Sequence, residues 1–139
     1  MINTSTTLDS LVKNNNKVLY QLTTIFPFRV FPTQISIQPT KVDIVQNTFF
    51  GSHEVRNLLI KEISSVTLDA TPFFATLKFK DRMPTQEVIT VDFLNKDQAH
   101  EARRILEGLI VAATEGVDFS QLSTTEILGK VSAIGKTKV

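Results

Sequence analysis

Six short runs of alternating apolar and polar residues end at Phe93, and from Asn95 onward apolar residues recur at spacings of three and four instead. Alternation is the signature of a half-buried strand, and the longer period that of a helix lying on a core. The runs are Gln34 to Gln38, Lys41 to Val45, Glu54 to Ile60, Ser65 to Ala70, Phe73 to Lys80 and Glu87 to Phe93. Pro39-Thr40, Gly51-Ser52, Thr71-Pro72 and the polar stretch Asp81 to Thr85 separate them with turn chemistry. Short strands joined by short turns pair antiparallel, so the pattern predicts an α+β fold in which antiparallel strands are closed by a helix. In the fifth run Phe73, Ala75, Leu77 and Phe79 share one face, and in the sixth Ile89, Val91 and Phe93 do.

The helix is bounded by its own signals. Asn95 can cap it with Gln98 three residues on, and Ala99, Ala102, Ile105, Leu106, Leu109, Ile110 and Ala113 form its apolar stripe. Gly116 ends it. Ser123-Thr124-Thr125-Glu126 is a second capping box, leading into a short amphipathic helix through Ile127, Leu128, Val131 and Ile134, with Gly135 to Val139 as a basic tail. At the other end, Met1 to Asn16 is rich in Thr, Ser and Asn, and the apolar Val18 to Leu22 and Phe26 to Pro32 lead towards the first strand. The expected organisation is an arm over residues 1–24, one domain over 25–114, and a short helix and tail over 115–139.

A chain of 139 residues with 42% hydrophobic and 21% charged residues has the size and balance of one globular domain. Its net charge of +1 supplies no global field to draw nucleic acid or an anionic membrane. The absence of cysteine excludes a disulfide framework and thiolate metal ligation and fits a reducing compartment. Met1 to Asp9 has neither a basic nor an apolar leader segment, and the longest apolar run, Leu109 to Ala113, is far short of the roughly 20 residues that span a bilayer. A cytoplasmic protein is expected, with the inner face of the membrane as the alternative location.

The order Ile35 to Ile37, Val42 to Val45, Phe49-Phe50-Gly51, the step Leu58-Leu59-Ile60-Lys61-Glu62-Ile63-Ser64-Ser65-Val66 and the helix after it resembles bacterial pleckstrin-homology (PH) and GRAM-type domains. Phe26-Pro27-Phe28, Pro72 to Lys78 and Ala102 to Leu109 also resemble segments of small uncharacterised bacterial proteins with this layout. The resemblance implies a PH-like antiparallel β-sandwich or barrel of six or seven strands, capped by a C-terminal amphipathic helix, with a short extra helix after it. It also implies a binding or scaffolding role. Phosphoinositide-binding members carry clustered Lys and Arg around the first hairpin, whereas this hairpin offers only Lys41.

Catalytic signatures are missing from the sequence. The two histidines, His53 and His100, lack metal-ligand spacing, and no nucleophile elbow occurs. Gly135-Lys136-Thr137 resembles the end of a phosphate loop, but Lys130 stands where its first glycine belongs. No catalytic residue, metal site or cofactor is therefore assigned. Lys78, Lys80 and Arg82 fall on one face of the fifth run and its exit, where they form either a mixed solvated surface or a contact for phosphates and lipid head groups.

The least ordinary feature is ten phenylalanines beside one tyrosine and no tryptophan, clustered as Phe26/Phe28/Phe31, Phe49/Phe50 and Phe73/Phe74. Neighbours on a strand point to opposite faces, so one member of each adjacent pair cannot enter the same core. Either the N-terminal segment or the last helix covers these rings, or they form an exposed surface for a protein partner, a second copy or a membrane. Phe49, Phe50, Phe73 and Phe74 are the candidate contact residues for a protein-binding module. Phe beside Lys78, Lys80 and Arg82 is the candidate set for a peripheral membrane domain.

Overall fold

The computed structural model describes residues 17–48, 51–83, 88–119 and 121–138. Within them the chain forms β1 (Tyr20–Thr23), β2 (Thr33–Ile37), β3 (Lys41–Asn47), β4 (His53–Leu59), β5 (Ile63–Ala70), β6 (Ala75–Asp81) and β7 (Ile89–Leu94), then α1 (Lys96–Thr114) and α2 (Thr124–Lys138). The strands make two antiparallel sheets, β1-β2-β3-β4 and β5-β6-β7.

Alternation decides which faces meet. Ile35 and Ile37 of β2 stand opposite Ile44 and Val42 of β3, and all four are buried. From the other sheet, Val66 of β5 faces Phe79 of β6, while Leu77 of β6 faces Val91 of β7. These side chains fill the space between the layers. The chain passes between sheets through a 3-10 turn at Ile60–Glu62, where Ile60 is buried and its N–H donates to the Thr40 carbonyl at 2.9 Å. At another junction the Ile25 N–H donates to the Phe93 carbonyl at 2.8 Å, tying the exit of β1 to the end of β7.

Helix α1 begins where the sequence places it, with the Asn95 side chain accepting from the Gln98 N–H at 3.1 Å. Ala99, Ala102, Ile105, Leu106, Leu109 and Ala112 are buried along its length. Each of Ile105, Leu106 and Leu109 contributes about 1.5–3 kcal/mol through this burial. Gly116, at φ 71°, ends it. Its N–H donates to the Ala113 carbonyl and that of Val117 to the Ala112 carbonyl, the paired closure of a left-handed cap. Helix α2 starts from the Ser123 and Glu126 capping box, the Ser123 hydroxyl accepting from the Glu126 N–H at 3.2 Å.

Five expectations need correction. The stripe of α1 closes on buried Ala112, and Ala113, expected in it, is exposed. β1 lies inside the stretch assigned to an arm: Tyr20 to Thr23 pair with Ile37 to Gln34 and bring Leu22 into the core. Helix α2 runs through Gly135 to Lys138 instead of fraying, because Gly135 is buried against the main chain of Arg104 on α1. Phe73 does not join the core face of β6, since the strand starts at Ala75 and Phe73 sits in the preceding turn. Phe93 does not continue the inward row of β7. The β6–β7 register shifts between Ala75 and Leu77, so Leu94 lies opposite Ala75 and is buried, while Phe93 turns aside.

Candidate functional site

Three segments converge at one end of the fold: the β1–β2 connection, the Thr71 to Phe74 turn and the end of β7. The base of the first is pinned where Thr24 exchanges main-chain and side-chain bonds with Thr33, the Thr24 hydroxyl accepting from the Thr33 N–H at 3.0 Å. The connection contains a cis Phe26-Pro27 peptide bond. In the second, the Thr71 N–H donates to the Phe74 carbonyl at 2.8 Å, and the Thr71 hydroxyl accepts from the Phe74 N–H at 3.1 Å. A threonine before a proline thus fixes the main chain that carries the Phe74 ring.

The rings of Phe28, Phe74 and Phe93 meet here. Phe28 and Phe74 are edge-to-face with centroids 4.7 Å apart, Phe74 and Phe93 are edge-to-face at 5.4 Å, and Phe28 stacks on Phe93 at 6.1 Å. Phe93 holds φ at 57°, a left-handed value that costs an ordinary residue about 1–3 kcal/mol. Its two ring contacts are worth about 0.5–1.5 kcal/mol each, which offsets most of that strain. Around this cluster the surface stays apolar: Phe26 is 75% exposed, Phe28 57%, Val30 68% and Phe73 80%. A cleft of about 380 Å³ between Phe28 to Phe31 and Gln46 to Thr48 adjoins it.

The cations nearest the rings are engaged. Arg29 pairs with Asp92 at 3.4 Å, and the Lys96 ammonium donates to the Pro72 carbonyl at 3.4 Å. Lys78, Lys80 and Arg82 are not gathered beside the rings. At about 3.3 Å per residue, β6 carries them progressively away from Phe74. Lys78 pairs with Asp69 at 2.8 Å, Lys80 is exposed farther along, and the Arg82 guanidinium donates to the Thr114 hydroxyl at 3.4 Å. Of the other expected contacts, Phe73 and Phe74 belong to this end, whereas Phe49 and Phe50 lie outside the described residues.

Phe93 was hidden from sequence reasoning because alternation places it with Ile89 and Val91, and nothing in the local pattern marks the shift that rotates it. A second groove of about 410 Å³ opens between Leu59, Ile60, Ala113, Val117 and Phe119. It lies at the far end of α1, roughly 28 Å from Asn95 at 1.5 Å per residue. The cleft beside the rings holds Arg29 as its one charged lining residue, and the second groove brings Thr40, Lys61 and Asp118 to an otherwise apolar wall. Among the described residues no group of three or more His, Asp or Glu stands close enough to hold a metal ion. Among them, too, no helix is long and apolar enough to cross a membrane. No protein-family model matches the chain, and no curated protein matches it.

Proposed function

We propose that this chain is a non-catalytic, PH-like interaction module that receives a protein partner on its aromatic end. The order of four strands in one antiparallel sheet, three in the next and a long helix after them supports the PH-like assignment. The observation that carries the function is the exposure of Phe26 and Phe73 around a fixed core of three packed rings. Rigid aromatic groups in a contiguous patch are the usual anchors of protein interfaces, because they bury much area with little loss of side-chain freedom. The engagement of Arg29 and Lys96 within the chain favours a protein partner over anionic lipid.

The test is the double variant Phe26→Ser/Phe73→Ser, which removes two solvent-facing rings that make no core contact. Association with the partner falls by about tenfold or more, while the thermal midpoint is unchanged. Undiminished association contradicts the assignment. Co-sedimentation of the wild type with phosphatidylserine vesicles at low salt, abolished by the same variant, transfers the surface to the membrane instead.

A further inference from the structure

β4 is an outermost strand unlike the other three. It spans seven residues and pairs with β3 from Lys41↔Leu59 to Asn47↔His53 without a register shift. β1 has only four residues, and the pairings of β5 and β7 with β6 are each interrupted by a shift. Shortness, bulges, proline and charged side chains, lysine above all, keep outer strands from pairing further. β4, His53-Glu54-Val55-Arg56-Asn57-Leu58-Leu59, is neither short nor bulged and contains no proline or lysine; its two charged residues, Glu54 and Arg56, are of opposite sign.

Its hydrogen-bonding parity is fixed by the ends of the ladder. The Thr40 carbonyl accepts from the Ile60 N–H and the Ser52 carbonyl accepts from the Thr48 N–H, each at 2.9 Å. Bonded and non-bonded pairs alternate along an antiparallel ladder. Glu54, Arg56 and Leu58 therefore bond to β3, and His53, Val55, Asn57 and Leu59 turn their N–H and C=O groups to the open edge. Among the described residues no strand pairs with that edge. Val55 is 49% exposed and sits directly beside Val45 on the outer face.

We propose that β4 is a self-association edge, pairing antiparallel with β4 of a second copy of this chain about a two-fold axis through Val55. That centre places Val55 opposite Val55 of the second copy and His53 opposite Asn57, all residues whose outward groups are available to bond. Glu54 then stands opposite Arg56 of the second copy, and Arg56 opposite Glu54, at the closer non-bonded positions. The two charges already pair within one strand at 3.1 Å, so the symmetry exchanges an exposed pair inside each copy for two pairs across the junction. A centre at Glu54 or Arg56 would set like charges against each other. Val45 and Val55 of both copies form one apolar row across the outer face, and the two four-stranded sheets become continuous.

Sedimentation velocity of the whole chain over a concentration series up to millimolar tests this. The wild type shifts from the 15.5 kDa monomer towards twice that mass. Val55→Pro removes an N–H that faces the open edge and not β3, so it blocks pairing while the far-ultraviolet circular dichroism is retained. Arg56→Glu and Glu54→Arg each weaken self-association by about tenfold, because every substitution acts twice across the axis. Mixing these two charge variants restores a dimer, since each then offers what the other lacks. A wild type monomeric throughout overturns the proposal, as does a dimer that survives Val55→Pro or a mixture that fails to reassociate. Phe26→Ser/Phe73→Ser leaves the dimer intact, so this edge and the aromatic end fail or hold separately.

Discussion

Gly108 of α1 faces the main-chain carbonyl of Val131 on α2 so closely that a β-carbon at position 108 would overlap it. The contact is reciprocal one turn away, where Gly135 of α2 meets the carbonyl of Arg104 on α1. Residue 104 lies against 135 and 108 against 131, so the helices run antiparallel at a separation that only glycine permits.

Gly108→Ala therefore lowers stability by about 1–3 kcal/mol, as forced overpacking does, despite alanine's better helix propensity. Gly129 sits on α2 with nothing within 4 Å of its added β-carbon, and Gly129→Ala raises stability by roughly 0.5–1 kcal/mol. Urea midpoints of the two variants move in opposite directions.

Phe73 and Phe74 are adjacent in sequence and different in consequence. Phe74→Ala loses edge contacts to Phe28 and Phe93, and stability falls by about 1–3 kcal/mol. Phe73→Ser removes an exposed ring and changes it by less than about 0.5 kcal/mol. Thermal denaturation of the pair checks the difference.

Burial first, and the Glu101 carboxylate second, raise the Tyr20 phenol above its ordinary value of 10.0. The folded state thus holds this proton more tightly than the unfolded chain does. Its contribution to stability is whole below pH 10.0 and is lost as pH climbs through the higher folded value. Tyr20→Phe makes the urea midpoint less sensitive to pH in that alkaline range. Tyr20 is the only tyrosine and there is no tryptophan, so ultraviolet titration of the wild type reports this phenol alone.

The fold was legible wherever local chemistry and global packing agree. The alternating runs locate β2 to β7, and Asn95 and Ser123 locate both helix starts, because those side chains act within one turn of their own backbone. β1 is not legible locally, because Tyr20 to Thr23 owe their strand form to β2 across the sheet. The extent of α2 was missed because Gly135 looks like a breaker until its close approach to Arg104 gives it a reason to be small. At the aromatic end, Phe73 and Phe74 were marked by composition. Phe93 was not, since its placement depends on a shift between strands and not on its neighbours in sequence.

The aromatic end is tested most directly by a photo-crosslinking residue at position 73, expressed in the native cell and compared with the same residue at Thr67 on the exposed face of β5. A discrete protein adduct is expected from position 73, absent from position 67 and lost when Phe26 and Phe28 are also changed to serine. No adduct from position 73, or the same adducts from both positions, would contradict a partner surface at these rings.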